Sequence, residues 1–183
     1  MISVLDLFRI GIGPSSSHTV GPMRIAKRFV DHLERSGDLA RVERVRVQLQ
    51  GSLALTGAGH GSPEACILGL MGEEPETTDI EGVPGLLARA RTGSLSLLGR
   101  QEIAFDPAAD IELACECLPE LHPNGMRLWA FDGEDAVLAD ETWYSTGGGF
   151  IASEHQLRKP LPGDLIAQQL QPRYPFASAA ELL

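Results

Sequence analysis

Residues 21–71, GPMRIAKRFVDHLERSGDLARVERVRVQLQGSLALTGAGHGSPEACILGLM, carry two hydrophobic periods in succession, and the change between them decides the fold class. Over Gly21–Ser36, Met23, Ala26, Phe29, Val30 and Leu33 recur at spacings of three and four, while Lys27, Arg28, Asp31 and Glu34 fall largely outside that stripe. Such spacing belongs to an amphipathic helix with one apolar face. Gly37 is well placed to end it. From residue 42 to residue 50 the period drops to two. Val45, Val47 and Leu49 face one way and Arg44, Arg46 and Gln48 the other, which predicts a half-buried strand. A glycine-rich stretch, 51–61, follows. Ser62-Pro63-Glu64 then opens a second helix over 62–71, continuing through Ala65, Ile67, Leu68 and Leu70.

Outward from this block the pattern stays mixed. Upstream, residues 3–8 suit a short helix or turn, and 10–19 form a loop rich in glycine and serine. Downstream, an acidic connector (73–81) leads to a third helix (83–91) and then to strands at 101–105, 126–131 and 136–145. Asp132-Gly133 marks a turn between the last two, and Gly147–Gly149 a break. The tail from Lys159 carries Pro160, Pro162, Pro172 and Pro175 and reads as a linker leading out of the domain. The expected architecture is one α+β domain over 1–158, with a mixed sheet built mainly from these strands, and a linker over 159–183.

Composition narrows the function classes. A chain of 183 residues with 43% hydrophobic content can bury a core of its own. Its 25 acidic and 15 basic residues give a net charge of −10, which repels phosphate backbones and argues against nucleic acid as a partner. A small anionic substrate stays compatible, because a pocket can be locally positive on an acidic protein. Apolar runs are short and broken by charge or glycine, so no membrane segment is expected. The first eight residues lack the basic-then-apolar layout of an export signal, and the expected location is the cytoplasm. Three cysteines, an odd number, argue against a disulfide framework.

Three segments combine glycine with small polar groups or histidine. In the first, Gly11-Ile12-Gly13-Pro14-Ser15-Ser16-Ser17-His18-Thr19-Val20-Gly21-Pro22, a polar loop runs straight into a helix. Amides at a helix start lack internal partners and favour an anion, so a carboxylate or phosphate could sit there. A cap needs one hydroxyl, whereas this loop offers Ser15, Ser16, Ser17 and Thr19 together with His18. The second segment is residues 51–61, in which His60 lies between Gly59 and Gly61. A histidine suits proton transfer near neutrality, but on spacing alone an exposed loop histidine with no task is the better reading. The third comprises His122-Pro123-Asn124-Gly125 and Tyr144-Ser145-Thr146-Gly147-Gly148-Gly149, where Asn124, Gly147 and Gly148 are the weaker candidates. Cys115 and Cys117 fall in a weak strand pattern that would turn both toward one face, but with Cys66 in an apolar helix they match no metal-ligand spacing. No iron–sulfur cluster or other metal site is therefore expected in this chain. His32, on a charged helix face, and His155, near the tail, are assigned no chemistry.

Taken together, GIGPSSSHTVGPM (11–23), GSLALTGAGHG (51–61), HPNGM (122–126) and YSTGGGFI (144–151) resemble, in content and order, the signature segments of the bacterial iron–sulfur-dependent L-serine dehydratases. YPFASAAELL (174–183) resembles the end of the N-terminal, or β, domain of that family. The resemblance implies a lyase of amino-acid catabolism that converts L-serine to pyruvate and ammonia without pyridoxal phosphate. It implies a 4Fe-4S cluster held by three cysteines of a separate, mostly helical α domain, with open-site iron acting as a Lewis acid. It further implies a homodimer and an α+β fold similar to the allosteric substrate-binding domain of some phosphoglycerate dehydrogenases. On this reading His18 and His60 are the acid–base or substrate-orienting candidates, and Ser15, Ser16, Ser17, Thr19, Asn124, Gly147 and Gly148 bind substrate. Turnover is expected to require the cluster-binding domain. A rival reading, resting on the fold analogy alone, is a regulatory serine- or anion-binding module that docks on a partner. If both histidine loops serve one small substrate, their rings should lie within roughly 10 Å of each other, the reach of direct or one-water contacts, and stay partly exposed.

Overall fold

The structure is a computed structural model that describes residues 11–159. The readings for 3–8 and for the linker beyond Lys159 lie outside the described residues.

The predicted helix α1 spans Gly21–Ser36 and ends as its sequence suggests. Gly37 takes φ +83°, and its N–H reaches back to the carbonyls of Glu34 and Leu33. The apolar stripe is fully buried from Met23 to Leu33, and Ile25 joins it. Burial of each large side chain contributes on the order of 1.5–3 kcal/mol. Strand β1 is Arg44–Gly51, starting two residues later than its alternation begins. The cause is a tight 3-10 turn over Leu39–Arg41 that still holds the N–H of Val42. Val45, Val47 and Leu49 are buried, as the alternation requires. Then come the one-turn helix α2 (Ser52–Thr56), α3 (Ser62–Leu70) and α4 (Val83–Ala90). They are followed by β2 (Ser94–Leu97), β3 (Gln101–Ala104), α5 (Pro107–Asp110) and β4 (Ile111–Ala114). The chain continues through β5 (Asn124–Phe131), β6 (Val137–Gly147), β7 (Phe150–Ser153) and α6 (Glu154–Arg158).

The main sheet has the order β4–β1–β5–β6–β7. β1 pairs with β4 in parallel, Val47 opposite Ile111, and antiparallel with β5, Leu49 opposite Met126. β5–β6 and β6–β7 are antiparallel, so the fold is α+β with a mixed sheet. One face of the sheet, with Val45, Val47, Leu49, Met126, Leu128 and Trp143, packs into the same core as Phe29, Val30 and Leu33 of α1 and Cys66, Ile67 and Leu70 of α3. No helix among the described residues is long and apolar enough to cross a membrane.

Two expectations need correction. The strand near 101–105 does not join the main sheet. It pairs only with β2, across a turn in which Leu98 and Gly99 take φ +50° and +66°, and this hairpin buries Leu95, Leu97 and Ile103. Cys115 and Cys117 do not share a strand face either. β4 ends at Ala114, and both cysteines sit in the turn that follows, their N–H groups bonded to Leu113 and Ala114 carbonyls.

Candidate active site

Both histidine loops arrive at one end of the sheet. β1 delivers the chain to Gly51, whose φ of +56° turns it sharply, with Pro123 and Pro119 packed where a Cβ would stand. The Gly51 and Ser52 amides donate to the carbonyls of Cys117 (2.9 Å) and Pro123 (2.8 Å). From that anchor α2 and a 3-10 turn, Gly57–His60, lead to His60, and Gly61, at φ +69°, stands at the N-cap of α3. His18 comes from the other side. It lies in a single π-helical turn, Ser16–Val20, that merges into α1. Wide turns of this kind recur at functional sites. Ser15 caps it, its hydroxyl accepting from the His18 amide at 3.1 Å.

The two imidazoles lie 5.0 Å apart, centroid to centroid, tilted by 43°, and both are half-buried. This is well inside the expected reach. Their hydrogen bonds differ in kind. His60 Nδ1 is 2.8 Å from the Thr56 carbonyl oxygen. A carbonyl only accepts, so Nδ1 carries the proton and the lone pair of neutral His60 is on Nε2. No partner for Nε2 is found among the described residues. His18 has both nitrogens engaged by hydroxyls, Nδ1 with Ser17 at 2.9 Å and Nε2 with Ser52 at 3.0 Å. Burial, and then the nearby His60, hold His18 below the ordinary histidine range, while the Ser52 backbone works the other way.

Hydroxyl-to-carbonyl bonds lock the loops together. Thr19 Oγ1 donates to the His60 carbonyl at 2.8 Å, Ser145 Oγ to that of Ser17 at 2.7 Å, and Ser62 Oγ to that of His18. Asn124, the first residue of β5, is buried, and its amide donates to the Ser145 carbonyl at 3.1 Å. The sequence-derived candidates thus separate. Ser15, Ser17, Thr19 and Asn124 have contacts that hold the backbone or His18 in place, whereas Ser16 is exposed. Gly147 and Gly148 form the β6–β7 turn with Gly149, all three at positive φ (+96°, +60° and +75°), a run that side chains would strain. Arg24 secures this turn by donating to the Gly149 carbonyl at 2.5 Å while pairing with Glu76. Ser52, Ser62, Ser145 and Arg24 were not singled out from sequence. All four lie inside or beside the quoted segments, but only the fold shows what their side chains reach.

The position of His18 sets a pH dependence. A histidine whose folded pKa lies below its unfolded value near 6.5 makes the unfolded chain bind more protons in that interval. Stability is then full above the unfolded value and is lost as pH falls through it toward the folded pKa. By NMR, the His18 ring is expected to titrate below free histidine, and His18→Gln should flatten the decline in melting temperature between pH 7 and pH 5. A His18 midpoint at or above 6.5 contradicts this assignment. His122 is also lowered by burial and should leave a residual slope in the variant.

Residues 3–156 match the sequence profile of the family described as serine dehydratase beta chain. The L-serine dehydratase of Streptomyces coelicolor is 45% identical over 183 residues, L-serine dehydratase 1 of Escherichia coli 45% over 185, and the L-serine dehydratase of Helicobacter pylori 42% over 185. These alignments take in 100%, 100% and 99% of this chain but only 40%, 39% and 39% of the relatives. The chain spans about 40% of the length of the curated relatives it matches.

Proposed function

The chain belongs to the serine dehydratase beta chain family, and from this premise we propose that it is the N-terminal, substrate-handling domain of an L-serine dehydratase, a lyase that is cytoplasmic and homodimeric when complete. The observation that carries the reading is the His18–His60 pair at 5.0 Å, with one imidazole nitrogen unshared among the described residues. L-Serine loses its Cα proton and its β-hydroxyl as water. The resulting aminoacrylate tautomerises to an imine, which water hydrolyses to pyruvate and ammonia. The first of these steps needs a neutral base next to the substrate. His60 Nε2 fills that role, because Thr56 fixes the tautomer. His18, kept neutral by burial, orients the substrate and limits the positive charge beside the protonated base. Exposed Ser16 and the Gly147–Gly148 backbone meet the polar groups of serine. Ser15, Ser17, Thr19 and Asn124 contribute by holding the pair in register.

The 4Fe-4S cluster belongs, on this proposal, to a second domain reached through the linker from residue 159. The cysteines of this chain do not suit it. Cys66 is buried in α3, where burial and then Glu64 push its thiol pKa up, and Cys115 and Cys117 lie in a turn. Among the described residues no group of three or more histidine, cysteine, aspartate or glutamate side chains could hold a metal ion.

The complete enzyme is expected to release pyruvate from L-serine, and to do so more slowly when the Cα hydrogen is deuterium. Absence of pyruvate under anaerobic conditions with the cluster intact would sink the proposal.

A further inference from the structure

Away from the histidine pair, α1 forms one wall of a cleft of about 430 Å³ whose other side is the corner where β6, β7 and α6 meet. Arg28, His32 and Arg35 line it from α1, Trp143 from β6 and His155 from α6. Positions 28, 32 and 35 are spaced by four and three, so all three side chains leave the same face of the helix. The cleft shares no lining residue with the candidate active site.

Its two arginines lack a carboxylate partner among the described residues. Arg28 stacks over Trp143, 4.9 Å from the ring centroid, and has no carboxylate partner among the described residues. Among the described residues Arg35 bonds the Asp31 carbonyl oxygen, at 3.1 Å, and no carboxylate. The arginines of the open sheet face differ: Arg44, Arg46 and Arg127 are each paired with a carboxylate. Two acids do line the cleft, and both are engaged. Glu141 uses one oxygen for His32 Nδ1 and the other for Trp143 Nε1 at 2.6 Å. Glu154 is held by Arg158 at 2.8 Å. On the flank beyond, Asp31 and Glu34 are taken by Lys27 and Arg100. Two guanidinium groups are left facing one space, on a protein of net charge −10.

The geometry points to a binding site for a small phosphate-bearing anion in this cleft. Guanidinium forks match the oxygens of phosphate, and a compact dianion with three acceptor oxygens can be shared by two of them. The Trp143 ring beneath Arg28 fixes the orientation of one fork.

The test follows histidine ring resonances of the 183-residue protein during titration with inorganic phosphate at constant ionic strength. Saturable shifts of His32 and His155 are expected, with a midpoint on the order of 1–10 mM and His18 and His60 unmoved. Arg28→Gln combined with Arg35→Gln should raise the midpoint at least about tenfold without altering thermal melting. Glycerol phosphate separates the sources: tighter binding than inorganic phosphate identifies a phosphate ester, and equal binding identifies the free ion. Unsaturable shifts, unchanged affinity in the double variant, or succinate binding as well as phosphate would overturn the assignment. None of these outcomes bears on the dehydratase reading, which rests on other residues.

Discussion

His60→Asn in the complete enzyme is expected to lower kcat for L-serine by roughly 10²–10⁴-fold, the range for loss of a general base, with KM changed far less. His60 Nδ1 is committed to the Thr56 carbonyl, leaving Nε2 as the imidazole nitrogen of the pair for which the described residues supply no partner. The Thr19 hydroxyl on the His60 carbonyl fixes the backbone from which the ring projects. Asparagine keeps a polar side chain in a half-exposed turn, so the fold should survive and the melting temperature should move little. The deuterium effect with Cα-labelled serine should grow or persist as proton removal becomes limiting. His18→Asn should act differently, since both its nitrogens already hold hydroxyls and its first effect is on substrate orientation. If His60→Asn instead keeps normal kcat and loses only activation or cooperativity, the general-base role fails and the regulatory reading takes its place.

How far these features could be read in the sequence depended on length and range. α1 was legible end to end because sixteen residues give several turns of unbroken periodicity and a glycine stop. β4 and β7 were not, because each has only four residues: β4 takes its pairing from a strand far back in the chain, Ile111 opposite Val47, and β7 follows directly on the glycine run that reads as a break. α2 hid inside a segment read as a glycine-rich loop, since five residues show too little period. At the site, His18 stood out by the four hydroxyls around it, whereas His60 between two glycines gained weight only from the family resemblance. Their distance could not be read, because it is set by contacts between residues 34 to 128 positions apart, among them Ser52 with His18 and Ser145 with the Ser17 carbonyl. A lone serine looks the same whether its hydroxyl meets substrate or a carbonyl across the fold. Thr19 and Asn124 read in the sequence as substrate contacts, and in the fold both hydrogen-bond to backbone carbonyls.

The same substitution at two helical glycines is expected to move stability in opposite directions. Gly85, exposed in α4, has nothing within 4 Å of the place a Cβ would occupy, and its φ is not in the left-handed region. Gly85→Ala should therefore stabilise by about 0.5–1 kcal/mol, through lower entropy of the unfolded chain. Gly69 in α3 gains the same helical preference but faces α1 at close range. Its Cβ would stand 2.8 Å from the Ala26 Cβ and 3.0 Å from the Lys27 amide nitrogen, and against the Met23 carbonyl oxygen. Backbone cannot turn away as a side-chain end can, so the helices must separate, and Met23, Ala65 and Leu68 lose contact where they now pack together. Gly69→Ala should cost about 2 kcal/mol or more and lower the melting temperature by roughly 4–8 °C. The damage should also reach the site. α1 begins three residues after His18 and α3 two residues after His60, so the approach of these helices sets the spacing of the rings. Thermal melts followed by circular dichroism will separate the two variants. If Gly69→Ala melts at or above the parent temperature, the close approach of α1 and α3 is not what holds the histidine pair together.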